Sequence, residues 1–228
     1  MILVTGAAKG LGKATILALA SKGHDVVIHY RTSFSEASDL LKECRQFPIQ
    51  AEIIQGDFNT LDSLNDFITR YTYHFPHTKG LVNNVGNYLI APLQKTKPNQ
   101  WLDLFQTNFF APLFLTQALL PSLKSIVNIG LSGLEGRKGF TQTTAYATTK
   151  AALLSFTLSL AKDLAPQGIR VNMVSPGYME NSLDQPTTLP MNRVATLQEV
   201  AQIIATFFDP STAYITGQNL EIAGAYGL

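Results

Sequence analysis

Tyr146 and Lys150 stand four residues apart in the stretch TTAYATTK. Residues at that spacing share one face of a helix. A phenol titrates near pH ~10, too high for acid–base work at neutral pH. An ammonium group beside it favours the phenolate and lowers that value. Such a pair can give a proton to a carbonyl oxygen as hydride reaches the carbon. The spacing alone is common and equally fits a helix-surface pair with no chemistry.

A second chemical stretch lies at the start of the chain. Thr5–Gly12 reads TGAAKGLG, with Gly6, Gly10 and Gly12 in a tight turn that opens a helix at Leu11. Glycine lets backbone approach a diphosphate, and a helix N-terminus favours negative charge. A glycine pattern by itself is weak, but this one follows a strand and precedes the helical LGKATILALASKG. The next strand ends in VVIHYRTS, with no acid from Val26 to Ser35. A carboxylate there would bind the ribose 2′-hydroxyl of NAD, whereas a cation accommodates the 2′-phosphate of NADP. Arg31 occupies the cation's place, Lys9 adds a second positive charge, and Thr32 or Ser33 can donate hydroxyl bonds. The expected cofactor is therefore NADPH; the competing reading makes Arg31 a solvated loop charge. His29 reads as a strand side chain rather than a ligand.

These stretches need a scaffold, and the sequence supplies an alternating one. Ile2–Val4, Val26–His29, Glu52–Gln55, Gly80–Asn83, Ser125–Ile129, Arg170–Val174 and Asn219–Ile222 read as short buried strands. Helical patterns fall between them near 11–22, 35–46, 61–74, 99–120, 143–165 and 197–208. Strand–helix alternation predicts an α/β fold: one Rossmann-type, doubly wound domain over residues 1–228, its seven-stranded, mostly parallel sheet covered by helices on both faces. Ligands then sit beyond the carboxyl ends of the strands.

Composition narrows the function. The 228 residues suffice for a full core, and 46% hydrophobic with 14% charged is an ordinary globular balance. A net charge of +1 argues against a general nucleic-acid or membrane-surface role. Cys44 is the only cysteine, which excludes an intrachain disulfide and a cysteine metal cluster and fits a reducing, cytoplasmic setting. His24, His29, His74 and His77 show no metal-ligand spacing, so no metal is expected. No apolar run reaches the ~18 residues of a membrane span, and MILVTG already reads as strand and turn rather than a targeting peptide.

Taken together, TGAAKGLG, Asp57 in GDF, NNVG at 83–86, Asn108 in TNFFAPLFL, YATTK and SPG at 175–177 resemble, in order and spacing, the short-chain dehydrogenase/reductase family over essentially the whole chain. The resemblance implies a nicotinamide cofactor and hydride exchange between carbonyl and alcohol. It makes Tyr146 the general acid and gives Lys150 two tasks, lowering the tyrosine pKa and holding the nicotinamide ribose; both residues are thus also cofactor contacts. Asn108 keeps a relay water, Asp57 and Phe58 flank the adenine, and Asn84 and Gly86 line the cofactor cleft, with Val85 in place of the usual alanine. Pro176 and Gly177 turn the chain beside the nicotinamide.

The family's carbonyl-binding serine is where this chain departs from the pattern. Counted back from Tyr146 its position is Gly133; counted forward from SIVNIG it is Leu131. Ser132 lies between, so the segment 131–145 reads as carrying a small insertion. Ser132 serves as the donor if its loop bends inward, which Gly130 and Gly133 permit; otherwise the site lacks that donor.

The segment YMENSLDQPTTLPMNRVA occupies the family's substrate-lid region and is short, which leaves an open mouth suited to a carrier-bound substrate. The overall similarity is to bacterial reductases of 3-oxoacyl thioesters on acyl carrier protein. HYRTS with GDFNT also resembles pteridine reductases, and NIGLSG resembles reductases of modified elongation factor P. A catalytically quiet nucleotide-binding regulator is the alternative from a different class. The helix TTKAALLSFTLSLAKDLA is apolar on more than one side, and with the family analogy this predicts a homotetramer built through it and the helix around 101–120.

Overall fold

The computed structural model describes residues 1–136 and 139–226. Arg137 and Lys138, inside the segment read as an insertion, lie outside the described residues, as do Gly227 and Leu228. Seven strands form one sheet: β1 (Ile2–Val4), β2 (Val26–Tyr30), β3 (Ala51–Gln55), β4 (Gly80–Asn83), β5 (Ser125–Ile129), β6 (Arg170–Pro176) and β7 (Asn219–Ile222). Their order is β3-β2-β1-β4-β5-β6-β7, and every pairing is parallel. The helices are α1 (Gly10–Ser21), α2 (Phe34–Cys44), α3 (Leu61–His74), α4 (Pro98–Phe105), α5 (Ala111–Leu119), α6 (Thr144–Leu164) and α7 (Leu197–Thr206).

Alternation along each strand sorts the core into two layers. Val4, Val26, Ile28 and Val82 meet Ile16 and Leu19 of α1, Leu40 of α2 and Ile204 of α7. Leu3, Val27 and Leu81 face the other way, against Leu64, Phe67 and Tyr71 of α3, Leu115 and Leu119 of α5 and Leu164 of α6. Each such aliphatic burial contributes about 1.5–3 kcal/mol. A sheet buried on both faces explains why its central strands are near-continuous apolar runs. The strand order reverses direction between β1 and β4, which opens a crevice above their carboxyl ends.

A continuous helix over 99–120 is not what forms. After α4, a π-helical turn covers Gln106–Phe110, in which the N–H of Ala111 bonds to the carbonyl of Gln106. Pro112 supplies a cause: it has no N–H for the Asn108 carbonyl four residues earlier. Asn108 thus sits in an irregular turn, and its carbonyl lacks the ordinary helical donor.

A buried polar chain fixes α6 over the sheet. Asn83 Nδ2 donates to Asn128 Oδ1 at 2.8 Å, and Asn128 Nδ2 donates to Thr157 Oγ1 at 2.8 Å. These bonds tie β4 and β5 to the helix that carries Tyr146 and Lys150, and leaving any of these buried groups unpaired would cost about 1–3 kcal/mol.

Candidate active site

The β1–α1 turn forms a cradle in which the glycines have separate reasons. Gly6 and Gly10 adopt φ of +63° and +54°, conformations that side chains disfavour. Gly12 is required by proximity: a Cβ there would run into the Gly6 carbonyl and lie 2.7 Å from the Ala7 Cα. The first turn of α1, with buried Leu11, carries no acidic residue, and Lys9 at the N-cap makes no side-chain cap. Its leading N–H groups are therefore available to an anion. The Gly6 peptide is gripped on both sides: its N–H donates to His29 Nδ1 at 2.9 Å, and its carbonyl accepts from Asn84 Nδ2 at 3.1 Å. Thr5 Oγ1 accepts from the N–H groups of Asn84 and Val85 at 2.9 and 3.0 Å, locking the end of β4 to the turn.

Arg31 is exposed at the end of β2. Together with Gly6, His29, Asp57, Phe58 and Val85 it lines a cavity of about 100 Å³. Ser33 stands at the N-cap of α2 without a capping bond from its side chain. Lys9 differs from expectation: it is not a second free cation but pairs with Glu36 at 2.6 Å, both side chains well exposed. The Lys9 contact holds the Glu36 carboxyl below its usual range. Asp57 accepts the N–H of Asn59 at 2.9 Å, and Phe58 stacks on His29 with centroids 4.3 Å apart.

Across the crevice, Lys150 is buried at 3% exposure, and its Nζ donates to the Ile129 carbonyl at 2.7 Å. The Nζ lies 5.8 Å from the centroid of the Tyr146 ring. The expected lowering of the tyrosine pKa does not occur in this arrangement. Burial dominates both groups: it raises the Tyr146 hydroxyl well above its ordinary value and pushes Lys150 down to about 8. Tyr146 as a whole is half-buried. The pair therefore presents a protonated phenol.

The side chain of Asn108 is engaged by the loop after β4. Its Oδ1 accepts from the Asn87 N–H at 2.8 Å and from Thr107 Oγ1 at 3.0 Å. Its Nδ2 donates to the Asn87 carbonyl and to Thr149 Oγ1, both at 3.0 Å. Every side-chain hydrogen-bonding position is thus filled, so the amide braces the loop after β4 and only main-chain groups of Asn108 remain for a water. Gly86 does join the site: a Cβ there would stand 3.3 Å from Asn108 Oδ1 and 3.4 Å from Lys150 Nζ.

Ser132 bends toward the carboxyl end of β6. Its N–H donates to the Pro176 carbonyl at 3.3 Å, and its Oγ is 3.5 Å from where a Gly177 Cβ would lie. The Gly177 N–H is held by the Ile222 carbonyl at 3.0 Å. Gly133 N–H donates to Glu221 Oε1 at 2.7 Å, which pins the loop. Gly130 has a packing reason, since a Cβ would strike Ser175 Oγ and lie 2.7 Å from Met173 Sδ.

Several site residues escaped the sequence reading. Tyr88 meets the Tyr146 ring edge-on, 4.7 Å between centroids, and its pKa is raised first by burial and then by the Asp184 carboxylate that its hydroxyl bonds to. Tyr178 and Tyr226 stand nearly perpendicular at 5.0 Å. The lid also reaches the cradle, with Asn181 Nδ2 3.1 Å from a Gly10 Cβ position. Tyr88, two residues after NNVG, had a motif next to it; the lid residues had no such signal.

A parallel sheet in this order, a glycine cradle at its switch point and a tyrosine–lysine pair on the facing helix define an oxidoreductase of the nucleotide-binding Rossmann class. The chain belongs to the short chain dehydrogenase family, whose model matches residues 1–191. It is 31% identical over 238 residues to an uncharacterised oxidoreductase of Bacillus subtilis, YmfI, covering 98% of this chain and 97% of that protein. It is 33% identical over 235 residues to a 3-oxoacyl-acyl-carrier-protein reductase of Synechocystis, covering 97% and 94%. Among solved structures, a blue fluorescent protein from a metagenomic library, in complex with NADPH, superposes with a TM-score of 0.91 at 28% identity, covering 100% of this chain and 97% of that one. No helix among the described residues is long and apolar enough to cross a membrane, and no cluster of metal-binding side chains occurs among them.

Proposed function

We propose that this chain is an NADPH-dependent ketone reductase whose substrate is a 3-oxoacyl thioester on a carrier protein. The observation that carries the reaction is the half-buried Tyr146 with Lys150 Nζ 5.8 Å from its ring centroid, in a chain that also forms the glycine cradle. The cradle fits a diphosphate because glycine alone can occupy position 12 and the α1 N-terminus is uncapped by side chains. Similarity to the 3-oxoacyl-acyl-carrier-protein reductase supports the substrate; the NADPH complex of the structural relative supports the cofactor.

In this reading Arg31, Thr32 and Ser33 hold the 2′-phosphate, with Lys9 contributing once released from Glu36. Gly6, Gly10, Leu11 and Gly12 bound the diphosphate. Asp57 and Phe58 flank the adenine, Asn84 and Gly86 line the cleft, and Lys150 holds ribose hydroxyls. Pro176 and Gly177 bound the nicotinamide site. When bound, the reduced nicotinamide supplies the hydride to the carbonyl carbon. Tyr146 gives its hydroxyl proton to the carbonyl oxygen. Ser132 donates a hydrogen bond to that oxygen and steadies the charge developing there. Lys150, turned toward Ile129, keeps a positive or readily protonated group beneath the phenol. Asn108 holds the loop carrying Gly86 and Asn87.

Leu102, Phe110 and Leu158 leave apolar surface exposed on α4, the π turn and α6, which supports a homotetramer assembled through these helices. The single, buried Cys44 suits a cytoplasmic location. The test is NADPH oxidation with an acetoacetyl thioester, a dihydropteridine and a simple diketone. The thioester should turn over fastest. Tight NADPH binding with no turnover of any of the three would replace this reading with a quiet nucleotide binder.

A further inference from the structure

We propose that His29 is a positioning residue of the cofactor cradle: a neutral ring, protonated at Nε2, that fastens the Gly6 peptide to the wall of the adenine site. The inference rests on the cofactor reading above and adds a residue to it. His29 is 2% exposed on β2. The Gly6 N–H points at Nδ1 from 2.9 Å, so Nδ1 is the acceptor. Nε2 lies 3.2 Å from the Gly56 carbonyl, which can only accept, so Nε2 carries the proton. A single tautomer of the neutral ring satisfies both partners.

The same ring forms part of the site's wall. It stacks on Phe58 at 4.3 Å with planes 7° apart, and Phe67 meets it edge-on at 5.1 Å. His29, Gly6, Gly56 and Phe58 line one cavity. One side chain therefore joins the β1–α1 turn, the end of β3 and the adenine wall. Its bond to Gly6 also turns that N–H away from the crevice, which leaves the α1 N-terminus as the anion-facing surface.

Protonation at Nδ1 would set two N–H groups against each other at Gly6. Burial prevents this at neutral pH, holding the ring near pKa 4; the Gly56 bond and the charge of Asp57 oppose burial and are outweighed. Among the described residues Asp57 is the charged group acting on the ring; Arg31 lines the same cavity.

The test is direct titration of the full chain with NADPH, followed by cofactor fluorescence without substrate, for wild type, His29→Phe and His29→Asn. Phe keeps the stack on Phe58 and loses both hydrogen bonds; Asn keeps an acceptor near the Nδ1 position. At pH 7.5, His29→Phe is expected to raise the NADPH Kd on the order of tenfold. His29→Asn should recover most of that loss, with kcat at saturating NADPH within about twofold of wild type, as positioning of binding rather than chemistry requires. As pH falls from about 5 to below about 4, wild-type Kd should rise by more than that of His29→Asn, which shares the titration of the 2′-phosphate but not that of the ring. Binding by His29→Phe within about twofold of wild type, or equal losses in the two variants, overturns the inference while leaving the cofactor reading intact. Failure of the wild type to bind NADPH overturns both. Should the Phe variant not fold, nitrogen NMR of the wild-type ring decides: a proton on Nδ1, or titration near the ordinary histidine value, refutes the assignment.

Discussion

Lys150→Met should stabilise the free protein while ending its turnover. Lys150 is 3% exposed and has the Ile129 carbonyl as its hydrogen-bond partner; no carboxylate pairs with it among the described residues. Its pKa falls from 10.5 to about 8 through burial. Each pH unit between folded and unfolded values is worth about 1.4 kcal/mol, so carrying this charge at neutral pH costs about 3 kcal/mol. Methionine removes the charge at similar volume but leaves the Ile129 carbonyl unpaired, a loss of about 1–3 kcal/mol. The net gain is up to about 2 kcal/mol at pH 7, or a Tm higher by up to roughly 4–8 °C for a domain of this size. The sign reverses with alkali in a defined way. Between pH 8 and 10.5 the unfolded chain holds a proton that the folded chain has released, so wild-type stability attributable to this group rises with pH. The methionine variant lacks that rise, and its advantage should shrink across the window. Thermal melts followed by circular dichroism at pH 7, 8, 9 and 10, at constant ionic strength and without cofactor, measure this. A variant that melts below wild type at pH 7, or an advantage that does not shrink toward pH 10, would refute the reasoning.

Four further substitutions probe separate parts of the site. Tyr146→Phe should lower reduction by about 10²–10⁴ with NADPH affinity little changed, because only the proton donor is lost; steady-state rates within tenfold of wild type would remove Tyr146 from that role. Arg31→Ala should weaken NADPH by about 10–100-fold and NADH by less than about threefold, and Glu36→Gln should strengthen NADPH by no more than about threefold by freeing Lys9; equal losses of both cofactors in the first variant would contradict a phosphate contact. Ser132→Ala should reduce kcat by about 10²–10³ if the hydroxyl beside Gly177 polarises the carbonyl, and an unchanged kcat would show that the carbonyl is held by other groups.

The scaffold was legible because its signals are local. Apolar runs placed all seven strands to within about two residues, and the glycines announced the cradle before any contact was known. Legibility failed where a residue's role depends on a partner far along the chain. Glu36, which occupies Lys9, lies 27 positions later, and the π turn around Asn108 reflects a proline that looked harmless in an apolar helix. His29 read as an inert strand residue because nothing in VVIHY shows that its ring reaches Gly6 on one side and Gly56 on the other. The serine question had the same origin. Register counts from Tyr146 and from β5 disagreed, and nothing local in the sequence signals that Ser132 approaches Pro176 and Gly177.

One force, burial, dominates the protonation state at these groups of the cofactor-free site, and it sets how each direction of reaction should depend on pH. Burial favours the uncharged form, so it keeps His29 neutral, weakens the hold of Lys150 on its proton and strengthens that of Tyr146. Lys150 would counteract the effect on Tyr146 if it faced the hydroxyl, but its Nζ is committed to the Ile129 carbonyl instead. A phenol that keeps its proton is the form needed to protonate a carbonyl oxygen. Oxidation of an alcohol needs the opposite form, a phenolate able to accept a proton, which the same burial opposes. Reduction should therefore run at neutral pH, and the reverse reaction should rise with pH well into the alkaline range. Pre-steady-state rates in both directions from pH 6 to 10 test this; an alcohol oxidation that is fastest at or below pH 7 would mean that Lys150 turns to the phenol once the site is filled.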